Sequence, residues 1–261
     1  MYSQTLSEKI RLNTKLTLAL SISMIKSRYR KTFAGFIWVV ANPILLFSIQ
    51  SIVFKKFLQI DVPDYYLFLL GGLLPWIFIT TTLDMCTPML VTQAELLRNF
   101  RISPMHLISA QCLDNFINFL FSFTLLLIPV SIFFNKLSYG IFFLPLSIFQ
   151  LLVGVVSLAI IFSTLQVFYR DIRFLLPFVT NILFFMTPIF YPPWVVPDNF
   201  KWLVTYNPFY RMIDPFRLNI YNFQPDLYWP VLAKGFAVSI AFAIIAFFIW
   251  RKKSHGFYLR L

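Results

Sequence analysis

Chemistry in this chain could first be sought at Gln111, Asp114, Asn115 and Asn118, polar side chains near one end of a long apolar run. Residues 111, 115 and 118 are spaced four and three apart, so on a helix they share one face. Two readings of that stripe stand. It can be a wet face turned toward a vestibule, or it can hydrogen-bond to a neighbouring helix at ~1 kcal/mol per contact. Asp84 falls just past the end of another apolar run, in the interface layer where a carboxylate costs little.

Reactive constellations are absent from the sequence. Seven glycines form no G-x-x-x-x-G-K-[ST] loop to cradle a nucleotide phosphate. There is no G-x-S-x-G, no H-E-x-x-H and no acidic cluster of the kind that holds magnesium. His106 and His255 read as single solvated residues near a membrane surface. Cys86 and Cys112 have no C-x-x-C partner and no histidine at ligand spacing, and read as inert small apolar residues. Such a chain is built to move something rather than to react with it.

Aromatic rings are the other chemical resource, with 33 Phe, 12 Tyr and 6 Trp. Flat apolar rings stack on the C–H faces of sugars without reading a particular hydroxyl, which suits a pore that passes a long polysaccharide. A phenylalanine is also an ordinary lipid-facing residue. Rings beside helix kinks, Trp38, Trp76, Phe184, Phe185 and Tyr191, are the channel candidates.

The elements that must position these groups follow from composition. The chain is 59% hydrophobic and 12% charged, with mean hydropathy +0.76, where a soluble domain is about 25% charged. Its apolar residues fall in runs near the roughly 20 needed to span a bilayer. Six spans are predicted, at about 33–54, 65–83, 107–134, 141–168, 174–191 and 231–250. Pro43, Pro75, Pro129, Pro145, Pro177 and Pro188 fall inside them and mark kinks. Residues 135–140 turn the third and fourth spans into an antiparallel hairpin. The fold class is an all-α membrane protein in one domain, 1–261: an interface helix in 1–32, six spans in 33–250 and a tail in 251–261.

The net charge of +12 gathers beside the ends of apolar runs, which argues for orientation signals and against nucleic acid. Lys9, Arg11, Lys15, Lys26, Arg28, Arg30, Lys31, Arg98, Arg101, Arg170, Arg173, Arg251, Lys252, Lys253 and Arg260 share one side. The other has Lys55, Lys56, Lys136, Lys201, Arg211 and Arg217. The positive-inside rule places both termini in the cytoplasm. The first 32 residues are too polar for a signal peptide, so the mature chain is expected to begin near Met1.

Three segments outside the spans matter. Residues 5–30 form a helix that opens with the capping box Thr5-x-x-Glu8. Leu6, Ile10, Thr17, Leu20 and Met24 stripe it, which suits a helix in the headgroup layer. Residues 93–104 form a short cytoplasmic helix ended by Pro104. Residues 192–230 are rich in Trp, Tyr and Pro; Trp194, Trp202 and Trp229 suit an interfacial belt, and 199–205 and 209–222 can be short helices on or in the outer face.

At this level of detail a family resemblance emerges. Arg28-Tyr-Arg-Lys-Thr-Phe-Ala-Gly-Phe-Ile-Trp-Val-Val-Ala-Asn-Pro43 resembles the entry into the first span of ABC-2 type export permeases, with Ala34 where the pattern usually has leucine. Phe162-Ser-Thr-Leu-Gln-Val-Phe-Tyr-Arg-Asp-Ile172 resembles their turn after span four. Thr187-Pro-Ile-Phe-Tyr191 and Tyr206-Asn-Pro208 resemble their outer-gate region. The likeness runs over essentially the whole chain and is closest to O-antigen and capsular polysaccharide exporters, with teichoic-acid exporters further off. A small-molecule ABC-2 exporter shares the fold and remains an alternative.

The resemblance implies a homodimer in the bacterial inner membrane, paired with two copies of an ATP-binding subunit that holds the ATP and magnesium. This chain itself binds no cofactor. The implied substrate is a lipid-linked polysaccharide, most often O-antigen on a polyprenyl pyrophosphate. Glu95, Arg98, Asn99 and Arg101 would couple to the ATPase, and Arg28, Arg30 and Lys31 lie where a lipid pyrophosphate or other anionic lipid would sit, or they only fix topology. Arg170 and Asp171 can pair at the turn after span four. In a pump of that kind, ATP closure tilts spans one and five across the dimer interface, and residues 194–222 close the channel between strokes.

Overall fold

A computed structural model describes residues 6–29, 37–100, 102–134, 138–253 and 257. The described residues are helical almost throughout. In chain order the α-helices are α1 (Leu6–Tyr29), α2 (Ile37–Ser51), α3 (Tyr65–Thr92), α4 (Ala94–Phe100), α5 (Pro104–Phe133), α6 (Leu144–Phe168), α7 (Ile172–Met186), α8 (Lys201–Thr205), α9 (Pro208–Ile220) and α10 (Pro225–Lys253). A π-helical turn, Ile52–Phe57, extends α2, and 3-10 turns at Tyr139–Phe143, Pro193–Val195 and Asp198–Phe200 precede α6 and α8.

Among the described residues, four helices are long and apolar enough to cross a membrane: α3, α5, α6 with its leading turn, and α10. α7 is a shorter apolar helix of 15 residues. The chain is a multi-pass membrane protein on this count. Several boundaries differ from those expected. α3 continues to Thr92, nine residues past the predicted end, because Asp84, Thr87 and Pro88 do not interrupt it. α7 stops at Met186 instead of reaching Tyr191. Thr187 precedes Pro188 and takes an extended conformation (ψ 130°), since the proline ring disfavours α backbone in the residue before it. Pro188 is therefore a helix stop, and Pro145 sits in the first turn of α6, so neither kinks a span. Pro104 does not end α4. It opens α5, after an extended Ser103, a position where its missing N–H is no loss.

α3 is the hub, packed against α5, α6, α7 and α9. Leu69, Leu70, Leu73, Leu74 and Ile79 on it are almost fully buried. α10 lies along α6, and α2 rests on α3 and α5. α1 packs against α5, with Thr17, Leu20 and Met24 turned half-inward. Three members of the expected apolar stripe thus meet protein; Thr5 and the side chains of Leu6 and Ile10 lie outside the described residues. His106, read as a solvated single, is half-buried and 3.2 Å from the Thr17 hydroxyl, joining α5 to α1. His255 lies outside the described residues.

α9 is held from three sides. Asn207 caps it, its Oδ1 accepting from the Phe209 and Tyr210 amides, while its Nδ2 donates to Thr187 Oγ1 at 2.9 Å. Asn219 donates to Ser147 Oγ (2.7 Å), which meets the Tyr228 hydroxyl at 3.0 Å. Arg217, counted by sequence among the outer-side charges, is 4% exposed. Its Nη2 donates to the carbonyls of Pro188 and Ile189, and its guanidinium lies 4.2 Å from the centre of the Phe68 ring. Gly71 and Gly72 on α3 make room for it.

Candidate functional site

One face of α3 repeats at 73, 77, 80 and 84, so Leu73, Ile77, Thr80 and Asp84 line up along the helix. That face forms the floor of a groove whose walls are α2, through Leu46 and Gln50, and α7, through Pro177, Thr180, Asn181 and Phe184. Trp76 joins the floor. The hollow holds about 280 Å³. A second hollow of about 310 Å³, lined by Asp84, Thr87, Pro88, Arg173, Phe174, Leu176 and Pro177, shares Asp84 and Pro177 with it. The two hollows adjoin at these residues, one after the other along α3 and α7.

The sequence gives this groove its walls. Pro177 removes a backbone donor inside α7, and the Thr180 hydroxyl bonds back to its carbonyl at 3.0 Å. α7 enters at a fixed angle because Gln166, at the end of α6, bridges the turn. Its Nε2 donates to the Arg170 carbonyl (3.0 Å) and its Oε1 accepts from the Arg173 amide (2.8 Å). The expected Arg170–Asp171 pair does not hold that turn. Both side chains are exposed and no ion pair joins them among the described residues, as suits charges that gain little from pairing in water.

The groove mixes rings with unpaired polar groups. Thr80 bonds to backbone of its own helix. Among the described residues, the Gln50 and Asn181 amides and the Asp84 carboxylate have no hydrogen bond or ion pair with protein. These are donors and acceptors left for water or for a ligand. Asp84 was expected in the interface layer, yet α3 runs eight residues beyond it, about 12 Å at 1.5 Å per residue.

Four of the five candidate rings come together. Trp76 and Phe184 line the groove at a centroid separation of 5.9 Å. Phe184 meets Phe185 and Phe190, each at 5.3 Å, and Phe190 meets Tyr191 at 5.4 Å. Phe185 and Tyr191 face an apolar cavity of about 440 Å³ between the C-terminal end of α7 and residues 195–204. The Tyr191 hydroxyl donates to the Phe185 carbonyl (3.0 Å), and burial pushes its phenol above the ordinary range. Trp38 stands apart, exposed near the start of α2. The sequence missed Phe190, which stacks on Phe54 at 4.3 Å, because nothing separates it from other phenylalanines. It also missed Gln50 and Asn181, each a lone amide in an apolar run, the one signal that could have marked them.

The polar stripe on α5 hydrogen-bonds chiefly within its own helix, with one contact to α3, and so matches neither expectation in full. Gln111 Nε2 donates to Asp114 (3.0 Å), Asn115 (3.3 Å) and the Met85 sulfur (3.6 Å), and Asn118 donates to Asp114 (3.2 Å). Gln111, Asp114 and Asn115 are buried, away from the groove, although Gln111 and Asp114 also edge a cavity of about 300 Å³ beside α1. Cys86 and Cys112, distant in sequence, are buried free thiols with sulfurs 3.8 Å apart.

At the other end, Leu97 anchors α4 in a small core with Met89, Leu90 and Leu107. Glu95, Arg98 and Asn99 are exposed beside an exposed Phe100. Arg101, Arg30 and Lys31 lie outside the described residues, and Arg28 is placed only as a backbone position of α1. Between α7 and α9, Trp194 and Trp202 are exposed. A hydrogen bond and the charge of Lys201 hold the Asp198 carboxyl below its ordinary range there.

Comparison with known proteins gives these surfaces a family. A model described as ABC-2 type transporter matches residues 15–221. Two proteins of Klebsiella pneumoniae named O-antigen export system permease protein RfbA are each 27% identical over 191 residues, 72% of this chain and 73% of theirs. A Myxococcus xanthus protein of the same name is 24% identical over 244 residues, 93% of this chain and 94% of its own. The chain belongs to the ABC-2 type transporter family: it is a membrane permease, a transport subunit with no ATPase domain in its 261 residues, of a kind that works with an ATP-binding subunit.

Proposed function

We propose that this permease exports a lipid-linked polysaccharide, O-antigen in the first instance, from the cytoplasm across the bacterial inner membrane, with capsular or teichoic-acid glycans as nearer alternatives than a small molecule. It acts as a homodimer with two ATP-binding subunits, which hold the ATP and magnesium. In this reading the whole chain is one membrane domain, α2, α3, α5, α6, α7 and α10 are the six spans, and both termini are cytoplasmic. The names of its relatives favour the glycan, since three of them are O-antigen export permeases.

The observation that carries the reading is the groove. Polar groups facing lipid at membrane depth are expensive, and Gln50, Asp84 and Asn181 all open into it without a protein partner. A water-filled path lined by rings accommodates them, as it accommodates a sugar chain. α7 buries only Leu176 and Thr180, which leaves its face free for a second copy and turns two half-grooves into one channel. α4, anchored by Leu97, presents Glu95, Arg98, Asn99 and Phe100 to the ATPase. Arg28, Arg30 and Lys31 receive the lipid pyrophosphate at the cytoplasmic edge. Of the outer segment, α9 forms fixed wall, and residues 192–206 close the exit.

The test is reconstitution. The chain and its ATP-binding partner are placed in proteoliposomes with a polyprenyl-pyrophosphate-linked oligosaccharide on one face. ATP should move the sugar to the opposite compartment. Equal appearance with and without hydrolysable ATP would refute the assignment.

A further inference from the structure

The charge along the groove bears on which glycans it passes. α2 carries no charged residue, α3 carries only Asp84, and α7 carries only Arg173. Beyond the outer end of α2, Lys55 turns onto its own loop, its Nζ 3.5 and 3.4 Å from the carbonyls of Ile60 and Val62. Lys56 is exposed in that π-helical turn and does not line the groove. From the Arg173 end of α7 toward its outer end, a ligand in the path therefore meets one cation, then one carboxylate. Beyond these the lining is neutral: the amides and hydroxyls of Gln50, Thr80, Thr180 and Asn181 and the rings of Trp76 and Phe184.

Asp84 has no cation within ion-pair distance among the described residues, and it is exposed on the groove floor. Apolar walls focus the field of such a charge into the water between them. A neutral sugar can donate hydroxyls to the carboxylate as it slides past. A uronate or phosphate on each repeat instead meets like charge at every step, and twofold pairing of subunits doubles the encounter. We infer that Asp84 makes the groove selective for glycans whose repeats are neutral or amino-bearing, and that it excludes polyanionic ones. Arg173, at the mouth, leaves an entering phosphate attracted, so a chain with a single anionic head and a neutral body fits the charge order. The inference rests on the export reading above.

The experiment uses the full chain with its ATP-binding partner in proteoliposomes and two polyprenyl-pyrophosphate-linked oligosaccharides of equal length. One is built of neutral hexoses; the other has a hexuronate in every repeat. A single like-charge encounter at about 4 Å in water is worth about 1 kcal/mol, or about five-fold. The wild-type complex should therefore move the neutral chain at least about five-fold faster than the acidic one. Asp84→Asn should bring the ratio close to one, and Asp84→Lys should invert it. A wild-type ratio near one overturns the inference without any variant, and so does a ratio that Asp84→Asn leaves intact. If neither oligosaccharide moves in the wild type with ATP, the export reading fails first and the inference falls with it.

Discussion

Gly72→Ala tests how α9 is locked to α3 and to the turn after α7. Inside a helix, alanine is normally favoured over glycine by about 1 kcal/mol, so the background expectation is stabilisation. At this position the added methyl would collide with Nη2 of Arg217 and come within 3.0 Å of the Ile189 carbonyl oxygen. The guanidinium would have to leave its bonds to Pro188 (2.6 Å) and Ile189 (3.2 Å). Hydrogen bonds to a charged group are worth about 1.5–3 kcal/mol each, and partial relaxation keeps the expected loss to about 3 kcal/mol. For a chain of this size that is about 6–12 °C in Tm. Arg217→Met removes the bonds and the obstruction together. In that background Gly72→Ala should cost under about 1 kcal/mol, a coupling of about 2 kcal/mol, well above the scatter of independent sites. Thermal denaturation of the four purified proteins in one detergent reads all of this. Equal costs of Gly72→Ala with and without Arg217 would refute the account of how α9, α3 and the end of α7 are joined.

Other outcomes follow from the same contacts. Arg98→Glu together with Arg101→Glu should uncouple ATP hydrolysis from export while the protein still inserts; unchanged export would remove α4 from the coupling role. Neutralising Arg28 and Arg30 should weaken photo-crosslinking of a lipid-linked oligosaccharide, whereas equal labelling would leave those residues with topology alone. Asn207→Ala deletes the cap of α9 and its bond to Thr187, a loss of about 2 kcal/mol from cap and bond combined. It should make the 192–206 segment cleave faster under limited proteolysis, and an unchanged cleavage rate would contradict the anchoring role.

How far the sequence could be read depended on whether a signal was local. Apolar run length located the four long apolar helices, and basic residues beside those runs suggested an orientation. Boundaries slipped where two rules competed. Pro188 looked like an internal kink of a long run but acts one residue earlier, through the backbone of Thr187. Asp84 looked like the end of a span, yet hydropathy cannot see that the helix continues with its polar face turned into a groove. The rings Trp76 and Phe184 were legible because kinks flagged them. Phe190 and Phe54 were not, since their pairing is set by a turn that only the fold brings back. The burial of Arg217 against two glycines has no one-dimensional signature, so the sequence showed only a charge between two apolar runs. Gln166 passed unnoticed for a similar reason: its two bonds go to backbone, and any polar residue at a helix end would look the same.

The central claim is that the sugar chain runs along the groove between α2, α3 and α7. A photo-reactive amino acid placed at Phe184 tests it most directly, with the exposed Phe133 at the end of α5, outside the groove, as the comparison position. During ATP turnover with a radiolabelled lipid-linked oligosaccharide, the account predicts glycan label at 184 and none above background at 133. Label at both positions alike, or at 133 alone, would contradict it.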